Sequence, residues 1–407
     1  MQKIKISPSV IIASGLLFIM AGLMVYQASQ WTTTMDESPH IVSGYSYLKN
    51  QDYRLNPEHP PLIKMIAGFP LLFQDLNFPH EHEGWTNGTT LEGGQWGQWS
   101  LGNAFLYWSE NDPVSITFWA RMGAMIVTLL TGLLLFVWAK KLYGAIVGLF
   151  TLTLFTFSPT FLAHGHLSNT DIGAVFAFLL ATYYLFKYLQ DQSKRNLILA
   201  GIAFGIAQLL KFSLILIIPY FFVVAVMWVI FKERQNRIFS ADTGKVMLSY
   251  MGKLMMIGII GLIVIYPVYQ YTIWNYPAEM QVQDTQVLLH TSLEKPDASP
   301  ILKKLAETAV WMADKPVLRS YGHFFLGHLM VFQRVTGGNT VYYLGDVARD
   351  AWVSYFPVVF MMKVPVPLLI FILLSVVLVS IHAWKKLIPI IRNKTKELSE
   401  KIKTTAR

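Results

Sequence analysis

The chain has no cysteine and few charges. Without cysteine there can be no disulfide framework, no Cys-ligated zinc and no thiol nucleophile. Charged residues make up 14% of its 407 residues, against roughly 25% in a soluble domain. It also lacks a phosphate-cradling Walker loop, a Gly-x-Gly-x-x-Gly turn and a Gly-x-Ser-x-Gly elbow. Apolar residues, at 54%, dominate, and they gather in long runs. The composition is that of an integral membrane protein.

Runs long enough to cross a bilayer fall at 10–28, 114–138, 145–163, 172–190, 254–271 and 356–384. The run 196–231 is too long for one span and carries Lys211 near its middle. It reads as two helices, 196–210 and 212–231, turning at "LLKFS". The expected fold is therefore all-α, with about eight transmembrane helices. The first run has no clear small-residue cleavage site after it and reads as a retained anchor.

Charge orients the bundle. The N-terminus, the loops at 139–144, 187–195 and 232–253, and the tail from 385 hold 20 Lys and Arg against 5 Asp and Glu. The long loops 29–113 and 272–355 hold 10 against 18. By the positive-inside rule the first set is cytoplasmic and the second external. The net charge of +9 thus reads as topology and not as nucleic-acid binding; the basic tail is placed to touch anionic lipid, but an orientation signal is its plainer reading. Three sections follow from this: a transmembrane core with the first external loop (1–271), a second external segment (272–355), and a last span with a basic tail (356–407).

Four ionisable residues lie in apolar runs or at their ends: Arg121, Asp171, Lys211 and Lys363. All fall on the external side. One cation there can snorkel to the headgroups. Three cations on the side that disfavours them suggest an anion site, and a phosphate in the outer leaflet would account for all three.

The first external loop holds "TTTMDESPHIVSGYSYLKNQDYRLNPEHPPLIK", residues 32–64. "SPHIVSGYSYL" (38–48) and "PPLIKMIAGFPLLF" (60–73) have apolar residues at roughly helical spacing but are too short to span. They predict interfacial helices lying on the membrane. In the second segment short helices are expected near 300–313 and 319–335. The histidines of "HEHE" (80–83) and "HGHLSNTD" (164–171) have no zinc-site spacing, and a polar loop or turn is the plainer reading of each.

"MDESPHIVSGYSYL" with "NPEHPPLIK" resembles the first external loop of the protein O-mannosyltransferases and their bacterial relatives, including the lipid A aminoarabinose transferases. These are polyprenyl-phosphate-sugar-dependent glycosyltransferases of the type C fold. The family's Asp-Glu pair matches Asp36-Glu37, and its His-Pro-Pro-Leu-x-Lys run matches His59 to Lys64. Its span-two arginine matches Arg121 of "WARMGAM", its second acidic residue Asp171, and its tip lysine Lys211. The resemblance runs through most of 30–370, but many relatives have eleven or more spans.

The resemblance implies a membrane enzyme, in a bacterial plasma membrane with its site on the extracytoplasmic side. It would move mannose or another hexose from a polyprenyl-phosphate donor to an acceptor hydroxyl, with inversion. The acceptor would be a protein, a lipid or a glycan. Asp36 is the expected base, with Glu37, Glu58 and Asp171 orienting the acceptor or that base. Arg121 and Lys211 would hold the phosphate, with His59, Lys64 and Lys363 behind them. No cofactor is required, and a divalent metal near Glu58 or the histidines is allowed but not needed. A transporter or flippase of a lipid-linked anion is the alternative, but its charges belong near the midplane of two repeated halves.

Overall fold

The computed structural model describes residues 7–87, 97–236, 242–294, 299–337, 340–349 and 352–405. The chain is almost entirely helical and divides into two compact units. The larger comprises Met1–Phe157 and Phe161–Asn339, and the smaller Ser158–Thr160 and Thr340–Arg407.

Among the described residues, six helices are long and apolar enough to cross a membrane: Pro8–Gln30, Pro113–Tyr143, Asp171–Gln190, Phe212–Phe231, Gly244–Thr272 and Val366–Lys385. Eight were expected, and the other two runs give shorter helices. The run at 145–163 stops as a helix at Thr156, because Pro159 disfavours helical backbone just before it. Its 12 residues rise about 18 Å, less than a bilayer's hydrocarbon core of about 30 Å. The run at 196–210 is a 17-residue helix that also carries Lys194, Arg195, Asn196 and Gln208.

The larger unit begins with α1 (Pro8–Gln30), α2 (Glu37–Lys49), α3 (Pro61–Gly68) and α4 (Gly97–Asn103). Next come α5 (Pro113–Tyr143), α6 (Ala145–Thr156), α7 (Asp171–Gln190) and α8 (Lys194–Leu210). It continues with α9 (Ile217–Asn236), α10 (Asp242–Thr272), α11 (Ala278–Leu288), α12 (Pro300–Ala313) and α13 (Arg319–Gly337). The limits of α5 are written in its sequence. Asp112 caps it by accepting from the N–H groups of Val114 and Ser115, Pro113 opens it, and Gly144 at φ 90° closes it after Lys140 and Lys141. The two helices expected at 300–313 and 319–335 are α12 and α13.

The predicted interfacial helix at 38–48 forms, as α2, but does not lie on a surface. Every residue from Glu37 to Tyr47 is buried. Glycine explains how. A Cβ on Gly44 would stand 2.0 Å from the Lys64 carbonyl oxygen, and one on Gly102 would stand 2.8 Å from the Ser38 carbonyl. With no side chain in the way, α3 packs on one side of α2 and α4 on the other. The helix predicted at 60–73 keeps an apolar side free, with Phe69 and Phe73 exposed.

The smaller unit holds an antiparallel hairpin, β1 (Val341–Tyr343) and β2 (Asp346–Ala348), which the sequence reading did not anticipate. Leu344 and Gly345 both have positive φ, the mark of a two-residue primed turn. The run expected to form one span at 356–384 is two helices, α14 (Tyr355–Lys363) and α15 (Val366–Thr405). Pro365 and Pro367 remove N–H donors where one helix would have to continue.

Candidate active site

The loop from α1 into α2 is built around one ion pair. Arg121, on the third turn of α5, is completely buried. Its Nε donates to Glu37 Oε1 at 2.9 Å and its Nη2 to Glu37 Oε2 at 2.7 Å. Nη1 donates to the carbonyls of Ala28 (3.1 Å) and Trp31 (2.8 Å), and Nη2 also to that of Thr32 (2.8 Å). All five guanidinium N–H groups are therefore engaged by protein oxygens. Glu37 is equally saturated: Thr34 N–H and hydroxyl donate to Oε2, and Ser168 N–H donates to Oε1. Burial pushes the Glu37 carboxyl up. The bonds and charge of Arg121, with the Thr34 and Ser168 N–H groups, outweigh it and hold the carboxyl below its ordinary value.

Asp36, the residue before, is the opposite case. Its side chain is exposed, makes no capping bond to α2, and has no partner among the described residues. Adjacent carboxylates thus have separate roles: one is locked into the fold, the other stands free at its edge.

Behind this pair lies a buried polar layer. The carbonyl of Ser168 accepts from His40 Nδ1 at 3.0 Å, so the "HLSNTD" stretch meets Glu37 and His40 through its backbone. Burial and then the Lys64 charge push the His40 imidazole down to about 4. The His59 ring packs edge-on against it at 5.2 Å. Burial, then the charges of His40 and Lys64, keep His59 well below its ordinary value. Both rings are neutral near pH 7.

Lys64 is almost fully enclosed. Its Nζ lies 2.7 Å from Tyr47 OH, 2.8 Å from Asn56 O, 3.0 Å from Asn56 Oδ1 and 2.9 Å from His59 O. Burial drives its basicity well down, against the opposing charge of Glu58. The three N–H groups of the lysine are consumed in pinning the "NPEHPP" turn. Glu58 is buried and accepts from Asn56 Nδ2, Gln98 Nε2 and Arg334 of α13. Glu58, His59, Thr291, Gln333 and Arg334 line a cavity of about 330 Å³.

The remaining predicted residues are more open. Asp171 is the first residue of α7, and Lys211 sits in extended backbone where α8 breaks. Their side chains form an ion pair at 2.5 Å, with Lys211 27% and Asp171 59% exposed. Asp171 acts through its field on His40, and Lys211 on His59. The structure thus gathers Glu37, Glu58, His59, Lys64, Arg121, Asp171 and Lys211 around one layer, with Asp36 beside it. Lys363 belongs to the smaller unit, where it ends α14 as an exposed side chain. No group of three His, Asp or Glu side chains converges among the described residues.

The sequence reading missed His40, Asn56, Gln98, Ser168 and Arg334. His40 lies one turn after Glu37 and carried a detectable signal. Arg334 carried none, standing 276 residues from its partner.

A testable acid sensitivity follows. His323 of α13 is buried among Tyr53, Tyr269 and Tyr276 with neither ring nitrogen hydrogen-bonded. Burial pushes it down to about 3, helped by the charges of Lys64 and Arg319. Unfolded, both His40 and His323 take up a proton below their ordinary value of 6.5, while folded they do not. Stability is full above that value and falls as pH drops toward the folded values. At pH 5 each costs about 2 kcal/mol. His323→Phe keeps the aromatic packing and should flatten the loss of melting temperature between pH 7 and pH 5. An unchanged slope would show that His323 protonates freely in the folded chain.

Residues 115–271 match the family model described as dolichyl-phosphate-mannose-protein mannosyltransferase. The match includes Arg121, Asp171 and Lys211, and supports a membrane glycosyltransferase of the type C fold. No curated protein and no solved structure matches the chain.

Proposed function

We propose, from the premise of a type C membrane glycosyltransferase, that the chain moves a hexose from a polyprenyl phosphate to an acceptor hydroxyl on the extracytoplasmic side. The acidic balance of the external loops supports that side. The observation that carries the reaction is the free Asp36 carboxylate beside a locked Glu37–Arg121 pair. Asp36 takes the proton of the acceptor hydroxyl as its oxygen bonds to the anomeric carbon. The bond from that carbon to the phosphate oxygen breaks, and polyprenyl phosphate leaves as an anion. The leaving group needs no proton, so no second carboxyl acts as acid. It needs positive charge held ready.

Lys211 is the cation best placed to supply it. Arg121 and Lys64 have their donors consumed within the protein. Lys211 is bound by one carboxylate and remains accessible. In the ligand-free state Asp171 neutralises it; phosphate displaces that carboxylate, which is then free to orient the acceptor. Glu37 and Arg121 are positioning residues that fix the start of α2 and hence Asp36.

The test is transfer of labelled hexose from a hexosyl-phosphoryl-polyprenol, with donor binding measured separately. Lys211→Ala should weaken donor binding about ten- to a hundredfold, the worth of one charge-assisted hydrogen bond. Asp171→Asn should tighten donor binding, because it releases Lys211, while slowing transfer. Wild-type binding in Lys211→Ala would remove the lysine from the phosphate site.

A further inference from the structure

Two cavities, of about 470 and 490 Å³, meet at the outer ends of α1 and α5. The first lies along Ala28–Thr33 and Asp112–Trp119, the last residues of one membrane-crossing helix and the first of another. The second lies along Thr34, Met35 and Ser38, the residues flanking Asp36 and Glu37, and against Trp108. Thr33 and Tyr107 line both. Those two side chains touch where the cavities meet: Tyr107 OH donates to Thr33 Oγ1 at 3.2 Å, and Thr33 Oγ1 is 2.9 Å from Thr117 Oγ1.

From this geometry, and resting on the transfer reading above, we infer that the groove brings in an acceptor hydroxyl carried on a membrane lipid. Three observations point to that occupant. The first cavity opens at the ends of two apolar spans, the depth at which lipid headgroups sit. Its rim is aromatic: Trp31, Tyr107 and Trp119 are large exposed side chains, placed as in the belts that meet the interface. Its lining mixes those rings with Ser29, Thr32, Ser115 and Thr117, which suits a molecule apolar at one end and hydroxyl-rich at the other.

The reaction itself assigns the groove to the acceptor and not to the donor. In an inverting displacement the nucleophile and the leaving group lie on opposite faces of the anomeric carbon. The base stands on the nucleophile's side. A cavity lined by Met35 and Ser38, on either side of Asp36 and Glu37, is therefore the acceptor's, and the donor phosphate belongs toward Lys211.

The experiment uses the full chain in vesicles of phosphatidylethanolamine and phosphatidylglycerol, with a hexosyl-phosphoryl-polyprenol donor. Two acceptor probes are offered: a monohexosyl diacylglycerol with a diazirine on its acyl chain, and a water-soluble peptide rich in Ser and Thr. Illumination without donor should label the chain within 28–38 and 99–119. With donor, hexose should pass to the glycolipid in preference to the peptide. Thr33→Trp puts an indole at a position that lines both cavities and should cut labelling and transfer by about tenfold or more. Trp108→Ala, at a side chain 69% exposed, should weaken both without touching the fold.

Asp36→Asn should keep the label and lose transfer. Transfer to the peptide that equals transfer to the lipid and ignores Thr33→Trp overturns the groove and leaves the enzyme reading standing. So does the absence of label in those segments. Correct labelling without any transfer by the wild type does the reverse: the groove stands as a lipid site, and the transferase reading falls.

Discussion

Asp36→Asn should lose transfer by ~10²–10⁴-fold, the range for removing a general base, with no change in melting temperature. The stability half of this expectation comes from exposure. Asp36 caps nothing and pairs with nothing among the described residues, so the amide leaves no group unsatisfied. The catalytic half comes from chemistry. Asparagine keeps the size and the hydrogen-bonding oxygen but cannot take a proton at neutral pH. Donor binding should hold, or tighten slightly, because one negative charge near a phosphate is gone. Transfer and binding must therefore be measured separately, by release of labelled sugar and by retention of labelled donor. Near-wild-type transfer in Asp36→Asn would leave the transferase without a base at this position. A matching loss of donor binding would show a binding role instead.

The membrane spans were legible where hydropathy alone decides: α1, α5 and α7 fall where long apolar runs predict them. Reading failed where a local backbone rule overrides hydropathy. Pro159 and Pro365 stand in runs that average as continuous, yet each breaks the helix that the average implies. The buried state of α2 was written in Gly44 and Gly102, but glycine spacing shows only that something approaches closely, not what. For the site, residue type and membrane side single out Arg121, Asp171, Lys211 and Lys363, while Asp36, Glu37, Glu58, His59 and Lys64 enter through the resemblance to the O-mannosyltransferases. Pairing was not legible. Arg121 could equally face a ligand or Glu37, 84 residues away, and only the fold brings the carbonyls of Ala28, Trp31 and Thr32 to the same guanidinium. Glu58 and Arg334 meet across still more chain, from a loop and a helix with no shared pattern.

That pairing sets the second large effect. Arg121→Ala should destabilise the chain by about 3–5 kcal/mol, the cost of leaving one member of a buried ion pair uncompensated. The loss exceeds the charge, because three backbone carbonyls also lose their donor. Arg121→Lys should recover only part of it. An ammonium on a flexible stem cannot bond both carboxylate oxygens of Glu37 and reach three carbonyls on either side. The double variant Arg121→Met with Glu37→Leu separates the two contributions. It removes both charges and should regain the electrostatic part, yet stay below the wild type because the carbonyls remain unpaired. Thermal unfolding in detergent, followed by size-exclusion chromatography, reads the stability of all three. Donor binding per folded molecule should change little in Arg121→Lys, since the arginine has no N–H to spare for a ligand. An Arg121→Ala chain that melts with the wild type but no longer binds donor would place the guanidinium at the phosphate, with the Glu37 pair a resting state that substrate breaks.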